Sequence, residues 1–580
     1  MWREDVSQWV LRCEICIESS NHKLVPKVTE WYVLASSEYP WGHIEFFPSE
    51  QNGLNHTFPH QSFNSQGKHL FPWRNGNLCL NTGLRALERH DHDIEPYDVH
   101  WRLYWRFERA IQWLDAASKE ALALPGEHFE LPSFPGKSST TVVFTEGIES
   151  LLQWQKIPNS IGLLDLFLLD QRSNTIFIKA FKSTFGQDLL VPNWGKAMTE
   201  MTNERVTGIW VRLNQVPVLE PWQTPSNWKE LRAVFREQEI EFDEQLRTVV
   251  KPIRDGKSHL LLIGFPIPSE VGGLPFQMHW QPIELPVLSS NTKTAKGFRA
   301  NEVGYWQRDR TEILRGAKNL SWVKSENWHS EQISTRGRFS EVMTDKQVLL
   351  IGVGAVGSVV AELLIRGNIQ RIGLIDSDKL EIGNLSRHTL NWKDLKESKA
   401  ISVAERLNLA SPHATVEAIE CDFPFVIEEK ETYIQQCDLI LDCTGSDSTL
   451  HHLEKFSWQD EKVFISISLG MGGKRLFCFV SKGRTFPSHI FKEKLKPWLE
   501  KERDEYKEQP LPWSGVGCWH PVFPARADDV WMMSSVAVKH VESLMKSNSL
   551  SDELAVFEQV FDNNNNFCGV SLVDPHAGCK

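Results

Sequence analysis

The sequence predicts an α/β protein of three domains that ends in a Rossmann-like nucleotide-binding domain. Three observations carry this. The chain has 580 residues, too many for one ordinary domain. The segment "LPGEHFELPSFPGKSS" has the Pro, Gly and Ser content of a boundary. Further on, the apolar run "KQVLLIG" leads through Gly352, Gly354 and Gly357 into "SVVAELLIRG", which is strand, turn and helix.

Composition narrows the function. Hydrophobic residues make up 41% and charged residues 24%, as in ordinary globular proteins. The net charge of -12 weighs against a nucleic-acid partner. No apolar run reaches the ~18 residues of a membrane helix, and the N-terminus lacks a signal-peptide core. The cytoplasm is therefore the expected location, with no membrane partner. The 23 tryptophans read as packing. The ten cysteines skip from Cys79 to Cys421, which excludes a disulfide framework. Cys13 and Cys16 form a C-x-x-C without a second pair, so they read as structural and not as a zinc site.

The first block, residues 1–135, is expected to open with a helix. Strand-like "EWYVLASS" and "GHIEFFPS" follow, broken by Pro40, Trp41 and Gly42. After a polar loop comes "WRNGNLCLNTG". Asn75, Gly76 and Asn77 make a turn, and Leu78 and Leu80 flank Cys79. By itself this stretch favours a small buried thiol. The block closes with helical spacing of Trp101, Leu103, Trp105, Ala110, Ile111, Trp113 and Leu114, with Asp98 as N-cap.

The second block, residues 140–300, reads as an α/β linker or recognition domain. "LLDLFLLD" and "TIFIKAF" form a hairpin, "TGIWVRLN" and "HLLLIGFPI" are strands, and "WKELRAVFREQEIEFDEQLRTVV" is one helical stretch. It holds no catalytic constellation.

The third block, residues 301–580, begins with polar helical sequence around "EQISTRGRFSEVM". "KQVLLIG" is then apolar throughout, as in a parallel strand buried on both faces. The glycines allow a tight turn and close approach of backbone to phosphate, and the helix N-terminus supplies N–H groups. The next strand, "RIGLID", ends at Asp376, where a carboxylate can hold ribose hydroxyls. A dinucleotide enzyme fits equally well to this point. "DSDKLEIGNLSRH" and "KESKA" then add Asp378, Asn384, Arg387 and Lys399. An ATP attacked at its α-phosphorus needs cations to hold the departing pyrophosphate, whereas a nicotinamide cofactor does not; Arg387 and Lys399 can serve. "CDLILDCTGSDS" brings Asp442, Thr444 and Asp447 towards the same sheet edge, where carboxylates can hold Mg²⁺.

"LLIGVGAVGS", "LIDSDKLEIGNLSRH" and "LILDCTG" closely resemble the adenylation domain of ubiquitin-activating-type (E1/ThiF-like) enzymes. The resemblance implies that Asp376 binds ribose and that Asn384, Arg387 and Lys399 serve the phosphates. Many relatives carry Thr-Asp-Asn where this chain has Thr444-Gly445-Ser446, so Asp442 or Asp447 takes the metal instead. It also implies a homodimer, with Arg336 or Arg338 in "TRGRF" placed where some relatives insert an arginine into the partner's site.

An acyl-adenylate is passed on through a thiol, because thiolates attack carbonyls well and leave well. Cys518, in the Gly- and Pro-rich "WSGVGCWHPVFP", resembles the thioester-forming cysteine of this family. Cys421, Cys437, Cys443 and Cys478 lie in or beside apolar strand-like runs.

The order of elements in the first block resembles a ubiquitin-conjugating (E2-like) α+β core. "FPHQ", Phe58 to Gln61, sits about where that family has His-Pro-Asn, with His60, Asn75 or Asn77 in the oxyanion role. Cys79 then becomes the second thioester carrier. An activating and a conjugating-like domain in one chain resemble the E1–E2 fusion proteins of bacterial CBASS anti-phage operons. That resemblance implies activation of the C-terminal tail of a cGAS-like cyclic-dinucleotide synthase (CD-NTase) and its transfer to a target protein amine. The competing readings are a sulfur-carrier activator for cofactor synthesis, an NAD-dependent enzyme and a non-catalytic scaffold.

Overall fold

The computed structural model describes residues 1–18, 23–68, 71–80, 98–170, 174–290, 297–425, 428–508, 510–514, 520–521, 523–547 and 550–573. The chain divides into two compact units. One comprises Met1–Pro192 and Thr202–His329, the other Asn193–Met201 and Ser330–Lys580.

The first unit begins with a four-stranded antiparallel meander of Trp2–Arg3, Gln8–Cys16, Val28–Ser36 and Ile44–Pro48. The expected N-terminal helix is a strand. Its sequence misleads because both faces of this sheet bury apolar residues. Cys13, Ile15, Trp31, Val33 and Phe46 face a core shared with Trp113 and Leu114 of the helix Arg102–Ser118. Val10 and Leu34 meet Trp73 in a second cluster. A strand with two apolar faces loses its period-2 signal. Asp98 does cap, accepting from the His100 N–H at 3.0 Å ahead of that helix.

The linker region contributes a larger sheet. Strands Gly136–Phe144, Trp322–Asn327, Pro275–Leu285, His259–Pro268, Arg205–Arg212, Ile161–Asp170 and Thr175–Lys182 pair in that order. Gly136–Phe144 also pairs with Thr175–Lys182, so the ladder closes on itself. Closure leaves these strands no open edge. The expected hairpin of Ile161–Asp170 and Thr175–Lys182 is present. The long helical stretch is two helices, Trp228–Glu237 and Phe242–Val249, because Glu239 turns left-handed at φ +60°. Trp322–Asn327, expected with the third block, belongs to this sheet.

The second unit is an eight-stranded mixed sheet. Its order is Thr415–Ile419, Arg371–Ile375, Gln347–Ile351, Leu439–Asp442, Lys462–Leu469, Arg475–Gly483, Glu553–Phe561 and Phe567–Val573. The first five are parallel and run 3-2-1-4-5 in chain order. The order reverses between Gln347–Ile351 and Leu439–Asp442, and ligands bind at such a switch point. Residues Asn193–Met201 dock on this unit: Gly195 N–H donates to Pro412 O at 2.7 Å, and Lys196 pairs with Glu417 at 3.0 Å. The polar segment expected to be helical forms only the short helices Ser330–Ile333 and Glu341–Thr344.

Candidate functional site

The glycine loop sits at the switch point. Gly352 is left-handed at φ +86°, and a Cβ there would lie 2.6 Å from Thr444 Cγ2. A Cβ on Gly357 would lie 1.9 Å from Gly352 O, which excludes every side chain. Gly354 differs: it is the N-cap of Ala355–Arg366, and a Cβ there would meet nothing within 4 Å. Gly352 and Gly357 are needed by the protein's own packing. Gly354 leaves an open cradle over a helix N-terminus, which suits a phosphate.

Val353, between these glycines, is held from both sides. Its N–H donates to Asp376 Oδ2 at 2.6 Å. Its carbonyl lies 2.8 Å from His388 Nε2. His388 Nδ1 accepts from Leu390 N–H at 3.1 Å, so the ring is neutral with its proton on Nε2. Burial lowers the His388 pKa, consistent with that tautomer. Sequence reasoning missed His388, although it directly follows Arg387 in the motif.

Asp376 is half-buried. Burial raises its pKa, against the lowering effect of the Asp378 and Val353 N–H groups. Asp378 is 70% exposed and its carboxylate meets Lys399 Nζ at 2.8 Å. Lys399 opens the helix Lys399–Ala410. Asn384 Oδ1 accepts from Glu381 N–H at 2.9 Å. Arg387 Nη1 donates to Phe523 O at 2.6 Å. Phe523 follows a short hairpin of Trp513–Ser514 with His520–Pro521. Cys518 lies outside the described residues.

The two carboxylates expected at the metal differ. Asp442 is 1% exposed; Oδ1 accepts from Thr444 Oγ1 at 2.6 Å and Oδ2 from Ser466 Oγ at 2.8 Å. Burial raises its pKa. Its geometry fits support of the Thr444 turn and does not fit a metal ligand. Asp447, at the start of Asp447–Lys455, is 84% exposed with Lys492 Nζ 4.0 Å away. Its carboxylate is open to a cation. Among the described residues, no three His, Cys, Asp or Glu side chains converge as a metal site. Arg336 and Arg338 are exposed, and Arg338 pairs with Glu331 at 2.9 Å.

In the first unit, Cys79 is exposed. Its N–H donates to His60 O at 2.9 Å, and Leu78 and Gln61 form an antiparallel bridge. The "FPHQ" segment therefore lies directly beside the cysteine. His60 is left-handed at φ +58° and its Nδ1 pairs with Glu130. Asn77 Oδ1 accepts from Phe46 N–H at 3.0 Å, and Asn75 Nδ2 donates to Ser65 Oγ at 2.8 Å. Both asparagine side chains are thus engaged in holding the loop.

Cys16 and Cys568 are exposed as Cys79 is, whereas the thiols beside the parallel sheet are not. Burial pushes Cys437 and Cys478 up to about 12. Burial also raises the Cys443 thiol well above the ordinary thiol value. Such thiols stay protonated and inert. Cys13 faces the core while Cys16 is exposed, so the C-x-x-C does not present both sulfurs on one side.

A parallel sheet with this switch point, glycine cradle and acidic strand end defines a Rossmann-like nucleotide-binding domain. Residues 329–506 match the ThiF family, and residues 120–328 match the Cap2 central linker domain. The chain is 33% identical over 544 residues to the ATP-dependent ubiquitin transferase-like protein Cap2 of Enterobacter hormaechei subsp. hoffmannii, covering 92% of this chain and 89% of that protein. The chain belongs to this Cap2 family of ATP-dependent ubiquitin transferase-like proteins. The adenylyltransferase and sulfurtransferase UBA4 of Candida albicans is 32% identical over 105 residues, 18% of this chain and 23% of that protein. A crystal structure of E. coli MccB with ATP has a TM-score of 0.28 at 14% identity and covers 40% of this chain and 64% of that one. The protein is an E1-like, ATP-dependent ubiquitin transferase-like enzyme. No described helix is long and apolar enough to cross a membrane.

Proposed function

We propose that one chain carries an acyl group through activation, two thioesters and conjugation. Residues 301–580 act as the adenylation domain, 140–300 as linker and 1–135 as a conjugating-like carrier domain. ATP lies on Gly352, Gly354 and Gly357. Asp376 holds the ribose, Asn384, Arg387 and Lys399 position the phosphates, and Asp378 completes the nucleotide site by holding the Lys399 ammonium. Asp447 holds Mg²⁺, which when bound neutralises phosphate charge. The C-terminal carboxylate of a protein attacks the α-phosphorus, giving an acyl-adenylate and pyrophosphate. Cys518 displaces AMP to form a thioester. Cys79 takes the acyl group by thiol exchange, and a lysine amine of a target protein takes it from Cys79 as an amide. The substrate tail belongs to a cGAS-like cyclic-dinucleotide synthase in a CBASS defence operon, and the enzyme works as a cytoplasmic homodimer through its adenylation domain.

The observation that carries this reading is Cys79: an exposed thiol whose backbone is bonded to the "FPHQ" segment, in the same chain as an adenylation fold. ATP–pyrophosphate exchange tests the first step. Exchange is expected only when the synthase tail with its free C-terminal carboxylate is added. Equal exchange with a C-terminally amidated tail sinks the proposed activation.

A further inference from the structure

A cavity of about 860 Å³ lies in the first unit, and His60 forms part of its wall. Its volume is that of a ligand pocket. Phe58, Phe129 and Trp222 supply apolar walls, and Glu127 and Glu130 supply carboxylates. Glu127 has an unusual state. Its Oε2 accepts from Leu124 N–H at 3.0 Å, but its Oε1 is buried and has no hydrogen-bond partner among the described residues. A buried carboxylate oxygen left so is costly and calls for a donor. An ammonium on a long apolar stem suits both the orphaned oxygen and the aromatic walls.

We propose that this cavity is the acceptor site, which receives the lysine side chain of the target protein and delivers its amine to the acyl group on Cys79. The proposal rests on the carrier reading of Cys79. Cys79 donates its N–H to His60 O at 2.9 Å, so the carrier residue adjoins the cavity wall. Glu127 Oε1 binds the incoming ammonium. His60, with Nδ1 held by Glu130, presents Nε2 as the basic nitrogen and takes one ammonium proton. The amine nitrogen then attacks the thioester carbonyl. The C–N bond forms, the C–S bond breaks, and a second nitrogen proton goes to the departing Cys79 thiolate. The products are an amide, the Cys79 thiol and one proton on His60.

The test uses full-length chain loaded with ATP and the synthase tail, freed of ATP and split between two nucleophiles. Nα-acetyl-lysine methylamide carries the cation and stem that the site recognises. Hydroxylamine is small and uncharged at neutral pH. Each discharge rate is normalised to the Cys79 thioester present at the start. Glu127→Gln and Trp222→Ala are each expected to lower the lysine-to-hydroxylamine rate ratio at least tenfold, with Glu127→Gln raising the lysine concentration needed for half-maximal rate. His60→Gln is expected to lower the maximal lysine rate without that shift. An unchanged ratio in both Glu127→Gln and Trp222→Ala, on a normally formed thioester, overturns the site alone. Absence of any Cys79 thioester in the unsubstituted chain overturns the carrier reading and the site with it.

Discussion

Val353 carries no reactive group, yet the nucleotide site depends on it. Asp376 fixes its N–H and His388 its carbonyl, so the glycine loop is held before any phosphate arrives. His388→Ala orphans a buried carbonyl, a cost of about 1–3 kcal/mol. We expect the ATP KM in pyrophosphate exchange to rise about tenfold, with the tail KM little changed; an unaltered ATP KM contradicts this role. Gly357→Ala forces a methyl into Gly352 O and is expected to abolish exchange and lower the melting temperature. Gly354→Ala meets open space, so a weakened ATP affinity with an unchanged melting temperature is expected. The sequence motif treats the three glycines alike, and only the contacts of each separate packing from ligand approach. His388 was hidden for a similar reason. Its role is a hydrogen bond to a residue 35 positions earlier, which no local pattern encodes.

Two elements carry much of the internal electrostatics. Arg475, fully buried, pairs with Glu502 and Glu505 of the helix Ser488–Tyr506 and with Glu558 of the strand Glu553–Phe561. Its hydrogen bond holds the Glu505 pKa down to about 2. Arg475→Met removes one partner from buried charges and is expected to cost about 3–5 kcal/mol by chemical denaturation. In the closed linker sheet, buried Glu146 accepts from Trp280 at 2.7 Å and Trp154 at 2.9 Å. Burial raises its pKa to about 7 and lowers that of buried His279 to about 4. An acid with a raised folded pKa costs stability as pH climbs from its unfolded value near 4.5 to about 7. A base with a lowered folded pKa costs stability as pH falls from its unfolded value near 6.5 to about 4. Each effect is on the order of 3 kcal/mol, and they oppose. Glu146→Gln is therefore expected to leave a domain that loses stability on acidification from pH 6.5 to 4, and His279→Gln one that loses it on raising pH from 4.5 to 7. Melting curves across this range check both slopes. The two helices of Trp228–Glu237 and Phe242–Val249 read as one in the sequence because their apolar spacing continues across the break. Glu239 gives no residue-type signal for its left-handed turn.

At the scale of the whole chain, legibility follows the range of the interactions. The strand, glycine turn, helix and second strand of the adenylation fold are contiguous, so the sequence shows them directly. The meander with its two apolar faces, the closed linker ladder and the neighbours of Cys79 are assembled from distant segments. His60 meets Glu127 and Glu130 only in three dimensions, and nothing in "WRNGNLCLNTG" announces them. The proposed function unites the molecule as one path for an acyl group, from an adenylate to a target through two thiols. Mapping the tail-bearing cysteine over time tests this most directly. The chain is mixed with ATP and tail, quenched in acid at intervals, digested, and the thioester-bearing peptides are identified by mass spectrometry. The account predicts the tail first on Cys518 and then on Cys79, no thioester at either residue in Cys518→Ala, and in Cys79→Ala a persistent Cys518 thioester without target conjugate. Full conjugate yield from Cys79→Ala, or loading of Cys79 at the normal rate in Cys518→Ala, would contradict it.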